Sequence, residues 1–192
     1  TETVTIEGAS DNLETLRSLR VCPDLASIDK PVIAALNGDA IDQGLEIALT
    51  CDIRIAAQDS WFGLTQIQKG LFPWDGGTQR LPRLIGRGAA TEMLLCSRSI
   101  NGEEALAKGL VSEIVSKEDV MAHANLIAST IVNHGPIAAR YVKELLLKGS
   151  DMTLDQGLRL EADLNVILQS TVDRAEGIES FLTRRTPKYL GE

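Results

Sequence analysis

Little in this chain suits it to a membrane, a metal or a nucleic acid. No apolar run approaches the roughly 20 residues that a helical membrane span needs, and no charged-then-apolar segment opens the chain. The three cysteines, Cys22, Cys51 and Cys96, are odd in number, widely spaced and without metal-ligand spacing. They read as reduced, buried residues of a cytoplasmic protein. The two histidines, His123 and His134, flank a helical pattern, and His134-Gly135-Pro136 reads as a helix stop rather than a ligand set. Basic residues are outnumbered: 19 Lys and Arg against 27 Asp and Glu give a net charge of −8. A nucleic acid needs a concentrated basic face, so it is excluded as a partner. A phosphate loop, an internal repeat and a low-complexity linker are also missing.

What is present divides at about residue 115. Before it, short apolar runs alternate with turns: a strand candidate at residues 3–6, a run at 31–36 ended by Asn37-Gly38, and another at 53–57. Helix formers fill residues 45–50 between the last two. Strand, turn, helix, strand is the order of a crossover unit with a parallel sheet. From about residue 88 onward the periodicity is mostly helical. Helices are expected from about Ser116 to Val132, from Pro136, from Asp151 or Thr153 to about Ile167, and from Thr171 or Asp173 to about Arg184. Asn101 and Glu104 predict a capping box for a helix that Gly109 ends. We therefore divide the chain into an α/β unit, residues 1–115, and a helical region, residues 116–192.

One stretch raises a chemical question: KPVIAALNGDAIDQGLEIALTCDIRIAA, residues 30–57. Glu46 lies in it among apolar residues, in the first turns of the helix that the Asn-Gly turn leads into. Helix N-termini present unpaired N–H groups and partial positive charge, which suit an anion or a developing oxyanion. A carboxylate beside such amides in an apolar wall has a raised pKa and exchanges protons near neutrality. The plainer alternative is that Glu46 caps the helix or pairs with an arginine.

A second stretch, WFGLTQIQKGLFPWDGGTQRLPRLIG, residues 61–86, adds to the first. Together they resemble the crotonase family, the enoyl-CoA hydratase/isomerase superfamily. The matching motifs, in order, are K-P-V-I-A-A-x-N-G, the glycine-rich E-I-A helix start, C-D-I-R-x-A, F-G, P-x-x-G-G-T-Q-R-L and I-G. INGEEALAKGLVSEIV and the terminal EGIESFLTRRTPKYLG are similar to later family segments. The resemblance covers residues 28–192. It implies an α/β fold with a crotonase-like ββα spiral core and a C-terminal helical trimerisation region, assembled as a homotrimer or homohexamer.

The resemblance also implies acyl-CoA thioester chemistry, with coenzyme A entering as part of the substrate and no metal or other cofactor. Two backbone N–H groups would hold the thioester oxygen. By motif position one belongs to Gln43, with Gly44 beside it in the substrate pocket. The family pattern has glycines where this chain has Asp42-Gln43. The other amide would come from Ala9 or Ser10, in GASDNLETLRSL, residues 8–19. That loop and the segment before it are shorter than the family pattern, so the α/β core looks incomplete there. Absent segments are the favoured explanation, because a parallel sheet without its outer strands would expose apolar edges.

Hydratases of the family use two glutamates. Glu46 matches the first; the second position holds Gln66, which cannot transfer protons but can orient water. Asp75 lies where some relatives carry another acid, and could be a proton carrier or a nucleophile. Otherwise it is a turn residue capping the helix that starts near Gly77. Trp74 is expected to pack, or to line an acyl pocket for a bulky group. The leading expectation is an enoyl-CoA hydratase or isomerase. The alternatives are a thioester hydrolase or dehalogenase using Asp75, and a silent acyl-CoA-binding member.

Overall fold

A computed structural model describes residues 20–192. The strand expected at residues 3–6 and the loop with Ala9 and Ser10 lie outside that range. After a short helix α1 (Cys22–Ala26), the chain forms β1 (Ile33–Leu36), β2 (Ala40–Ile41), α2 (Gln43–Thr50), β3 (Ile53–Ala57) and β4 (Trp61–Gly63). A 3-10 turn (Gln66–Lys69) leads to α3 (Gly77–Ile85), α4 (Arg87–Leu95), β5 (Ile100–Asn101), α5 (Gly102–Ala107) and β6 (Glu113–Val115). Every later element is a helix: α6 (Val120–Val132), α7 (Pro136–Gly149), α8 (Leu154–Gln169) and α9 (Val172–Thr183).

The crossover reading holds. β1 and β3 pair in parallel, with Ile33 opposite Ile53 and Leu36 opposite Ala56, and β6 continues the sheet in parallel on the far side of β3. Ile55, Ala56 and Ala57 of the central strand are fully buried, as an unbroken apolar run in a parallel sheet should be. The second small sheet, in the order β2-β4-β5, is mixed: β2 and β4 are parallel, and β5 runs antiparallel to β4. The core joins Leu45 and Leu49 of α2, Phe62 of β4, Leu81 of α3, Met93 of α4 and Ile100 of β5.

Two buried cations fix helices against this core. Arg54, on β3, donates to the carbonyls of Cys51 and Leu110 and, at 3.4 Å, of Ala48, closing the C-terminal end of α2. Burial lowers its pKa, but guanidinium starts so high that it stays charged. Lys143 of α7 reaches Asp52 at 2.8 Å and the Lys30 carbonyl at 2.9 Å, while Asp52 also accepts the Val32 N–H at 2.7 Å. α7 is thereby tied to the start of β1 and β3.

The helical starts follow the local signals. Thr153 and Gln156 form a full capping box for α8, Thr171 caps α9, and Asn101 accepts the Glu104 N–H. The reciprocal half of the Asn101 box is replaced: the Glu104 carboxylate instead meets Arg98 at 2.7 and 2.8 Å. α6 starts at Val120 rather than Ser116, whose hydroxyl bonds to Asp119. Cys22 and Cys51 are buried free thiols, whereas Cys96 is exposed, against expectation. Among the described residues no helix is long and apolar enough to cross a membrane.

Candidate active site

The entrance to α2 has an unusual backbone. Asp42 adopts φ 54° and ψ −120°, and its carbonyl accepts the first intrahelical bond, from the Glu46 N–H at 3.1 Å. The amides of Gln43, Gly44 and Leu45 precede that bond and so belong to the N-terminal turn of the helix. Gly44 is exposed, and a Cβ built on it would meet no atom of the described residues within 4 Å.

Glu46 is one turn further in and fully buried. Its Oε1 accepts the N–H groups of Asp75 and Gly77, both at 2.8 Å, and Oε2 faces the Gln66 Nε2 at 3.4 Å. Neither plain reading of this residue applies. It does not cap its own helix, and among the described residues no arginine pairs with it. Instead it receives the first N–H of α3. Burial pushes the Glu46 pKa up, and the nearby Asp75 charge adds to this. The amides of Gly77, Asp75 and Trp74 pull the other way without cancelling the rise. Gly77 is required there: a Cβ on it would lie 2.9 Å from Leu64 Cδ1 and Pro73 Cβ and 3.1 Å from Glu46 Cγ. The result is a carboxylate with one oxygen fixed by amides and the other oxygen available to exchange a proton.

Gln66 opens the 3-10 turn and is buried. Its amide orientation follows from its neighbour, since a carboxylate oxygen accepts and only the NH₂ end can face it. Oε1 is left buried with no donor among the described residues.

Asp75 is fully buried but fully engaged. Oδ2 accepts the Val21 and Cys22 N–H groups at 3.0 and 3.2 Å, and Oδ1 lies 3.3 Å from the Arg20 Nε. Burial alone would raise its pKa; the two amides, the Cys22 thiol and Arg20 outweigh that and hold it below the usual carboxylate range. α3 starts beyond Gly76 without a side-chain cap, so the expected capping of that helix is replaced. The carboxylate serves the first turn of α1, more than fifty residues upstream, a partner no local pattern could indicate.

Trp74 is half-buried next to Asp75, and Ile67, Leu71 and Phe72 form an exposed apolar rim on the same segment. The GLFPW run signals Leu71 and Phe72, while Ile67 stands alone among polar neighbours. The site thus brings Gln43, Gly44, Glu46, Gln66, Trp74 and Asp75 together from α2 and the 66–77 segment; Ala9 and Ser10 are outside the described residues. Among those residues no cluster of three or more His, Cys, Asp or Glu could hold a metal ion.

Comparison with known proteins gives a consistent answer. The chain is 40% identical over 167 residues to the 2,3-dehydroadipyl-CoA hydratase of Escherichia coli, a match covering 87% of this chain and 66% of that one. It is 38% identical over 168 residues to the crotonyl-CoA hydratase of Syntrophomonas wolfei, covering 88% and 65%. It therefore spans just under two thirds of the length of these relatives. Among solved structures, an enoyl-CoA hydratase from Bacillus anthracis superposes with a TM-score of 0.92 at 38% identity, over 97% of this chain and 73% of that one. The sequence profile of the enoyl-CoA hydratase/isomerase family matches residues 6–192, and the chain belongs to that family.

Proposed function

We propose that this protein hydrates 2-enoyl-CoA thioesters, using Glu46 as its acid and base. The observation that carries this reading is the buried Glu46, its pKa raised and one oxygen anchored, set one turn inside a helix whose N-terminal turn carries the exposed Gly44. The thioester oxygen would lie at the Gln43 N–H, with Gly44 leaving room for the acyl-CoA. The second amide would come from Ala9 or Ser10. A water molecule would donate one hydrogen to Glu46 Oε2 and the other to the Gln66 Oε1. Glu46 takes a proton as the water oxygen bonds to the β-carbon, and the C=C electron pair moves to the thioester oxygen as an enolate. Collapse of the enolate returns that proton from Glu46 to the α-carbon, so the net change is addition of one water. No metal or redox cofactor takes part, and coenzyme A arrives with the substrate.

Gln66 in place of a second carboxylate favours one further reading, double-bond isomerisation, in which Glu46 alone moves a proton between carbons. The hydrolase or dehalogenase reading has less support, because both Asp75 oxygens are already bonded to α1 and Arg20. Glu46 also counts against a silent binder. The assembly is proposed as a homotrimer or homohexamer, supported by apolar side chains on the C-terminal helices. Leu158 and Ile167 are 55% and 51% exposed, and Phe181 and Leu182 are 82% and 74% exposed. A cytoplasmic location is part of the same proposal, in keeping with three free thiols.

The test incubates the protein with short, branched and aromatic enoyl-CoA thioesters and reads products by mass spectrometry. Gain of one water with CoA retained supports hydration. Unchanged mass with shifted absorbance supports isomerisation. Release of free CoA would overturn both.

A further inference from the structure

The φ of 54° at Asp42 lies in the left-handed region, where a Cβ is strained and glycine is not. The Asp42 side chain spans the gap to the neighbouring segment. Oδ1 accepts the Thr65 N–H at 2.6 Å and the Thr65 hydroxyl at 3.0 Å. Its own N–H donates to the Gly63 carbonyl at 2.8 Å, continuing the β2–β4 pairing. Lys69 is 3.7 Å from Oδ2 but 70% exposed, so it contributes little.

What this fixes is a peptide plane. The Asp42 C=O and the Gln43 N–H belong to one trans peptide unit and point in opposite directions. With the C=O held inward by the Glu46 N–H at 3.1 Å, the Gln43 N–H must point outward from the helix end. Thr65 also directly precedes Gln66, whose amide meets Glu46 Oε2. One aspartate thus ties together the turn that presents the amide and the turn that carries Gln66.

We infer that Asp42 is a positioning residue, whose latch onto Thr65 holds the Gln43 N–H in the orientation that receives the thioester oxygen. The inference rests on the proposed acyl-CoA reading for its chemistry, and on the backbone geometry for its structure. An oxyanion-hole donor is worth about 100- to 1,000-fold in kcat, so a misdirected one should cost a good part of that.

The test compares Asp42→Ala, Asp42→Asn, Asp42→Gly and Thr65→Val. Alanine keeps the strained Cβ and loses the latch. Asparagine keeps the Oδ1 acceptor, and glycine adopts the backbone without needing a latch. Asp42→Ala is expected to lose about 10- to 100-fold in kcat with KM within about threefold. Asp42→Asn and Asp42→Gly should recover most of that loss, and Thr65→Val should lose about threefold. Equal losses in the alanine, asparagine and glycine variants would overturn the inference, because they would make the charge itself the active feature. Unchanged kcat in both Asp42→Ala and Thr65→Val would overturn it too. If the wild-type protein turns over no acyl-CoA, the proposed function fails. The latch is then judged on the NMR shift of the Gln43 amide: displaced in Asp42→Ala and native-like in Asp42→Asn supports it, while the same shift in all variants overturns it.

Discussion

Replacing Asp75 by Asn separates a structural acid from a chemical one. The wild-type carboxylate accepts the Val21 and Cys22 amides and faces Arg20. Asparagine has one oxygen, which at the Oδ2 position keeps both amides only as neutral rather than charge-assisted bonds, while its NH₂ end turns towards Arg20 and loses that contact. That costs roughly 1–3 kcal/mol. The Arg20 pair adds little, because the arginine side chain is 41% exposed. Taking about 2 kcal/mol, a chain of this size should melt about 4–8 °C lower. The pH dependence has a definite sign. The folded-state pKa of Asp75 is depressed, so its contribution is present above the unfolded value of about 4 and is lost as pH falls through the folded value. Wild type should therefore lose stability below about pH 4 more steeply than Asp75→Asn. Turnover should fall by less than about tenfold at neutral pH. Because the Asp75 charge raises the Glu46 pKa, its removal should move the acid limb of the rate profile to lower pH. Thermal melts across pH, with rate profiles on the same samples, read all of this. An unchanged melting curve with turnover abolished would refute the reasoning and return Asp75 to the chemistry.

Three further substitutions probe the cradle. Gly77→Ala brings a Cβ to 2.9 Å from Leu64 and Pro73 and 3.1 Å from Glu46, so it should cost about 1–3 kcal/mol in a denaturant melt and lower kcat as Glu46 shifts. Gly44→Ala meets no atom of the described residues within 4 Å, so it should stabilise the helix by up to about 1 kcal/mol in the same melt. Its KM for an enoyl-CoA should nonetheless rise, and an unchanged KM would remove Gly44 from the substrate pocket. Gln66→Glu should raise hydration measured by product mass, and the added negative charge should shift the acid limb to higher pH by raising Glu46 further.

The parts legible in the sequence were those set by neighbours in the chain. The parallel β1–α2–β3 unit, the Thr153 and Thr171 caps and the Pro136 start depend on residues within a few positions of one another. So did the placing of Glu46 at a helix entrance. Long-range pairings were not legible. Asp75 reads locally as a cap for α3, yet its partners are Val21 and Cys22. Asp42 reads as a departure from glycine, and only Thr65, 23 positions later, shows what its side chain does. Nor did the pattern indicate that Gly77 makes room for Glu46, since that depends on Leu64 and on Glu46 itself, 31 positions earlier, approaching from other segments.

The central claim is that Glu46 moves the proton, and Glu46→Gln tests it most directly. Gln retains an Oε1 to accept the Asp75 and Gly77 amides, and its NH₂ can face the Gln66 Oε1, which has no other partner among the described residues. The raised pKa means that an ionised Glu46 destabilises the fold as pH rises through that value, so the variant should melt no lower than wild type at neutral pH. With folding thus controlled, the decisive quantity is kcat for hydration of an enoyl-CoA, read as gain of one water. The account predicts a fall of at least about 100-fold with acyl-CoA affinity nearly intact. A folded Glu46→Gln enzyme that hydrates at close to the wild-type rate would contradict it.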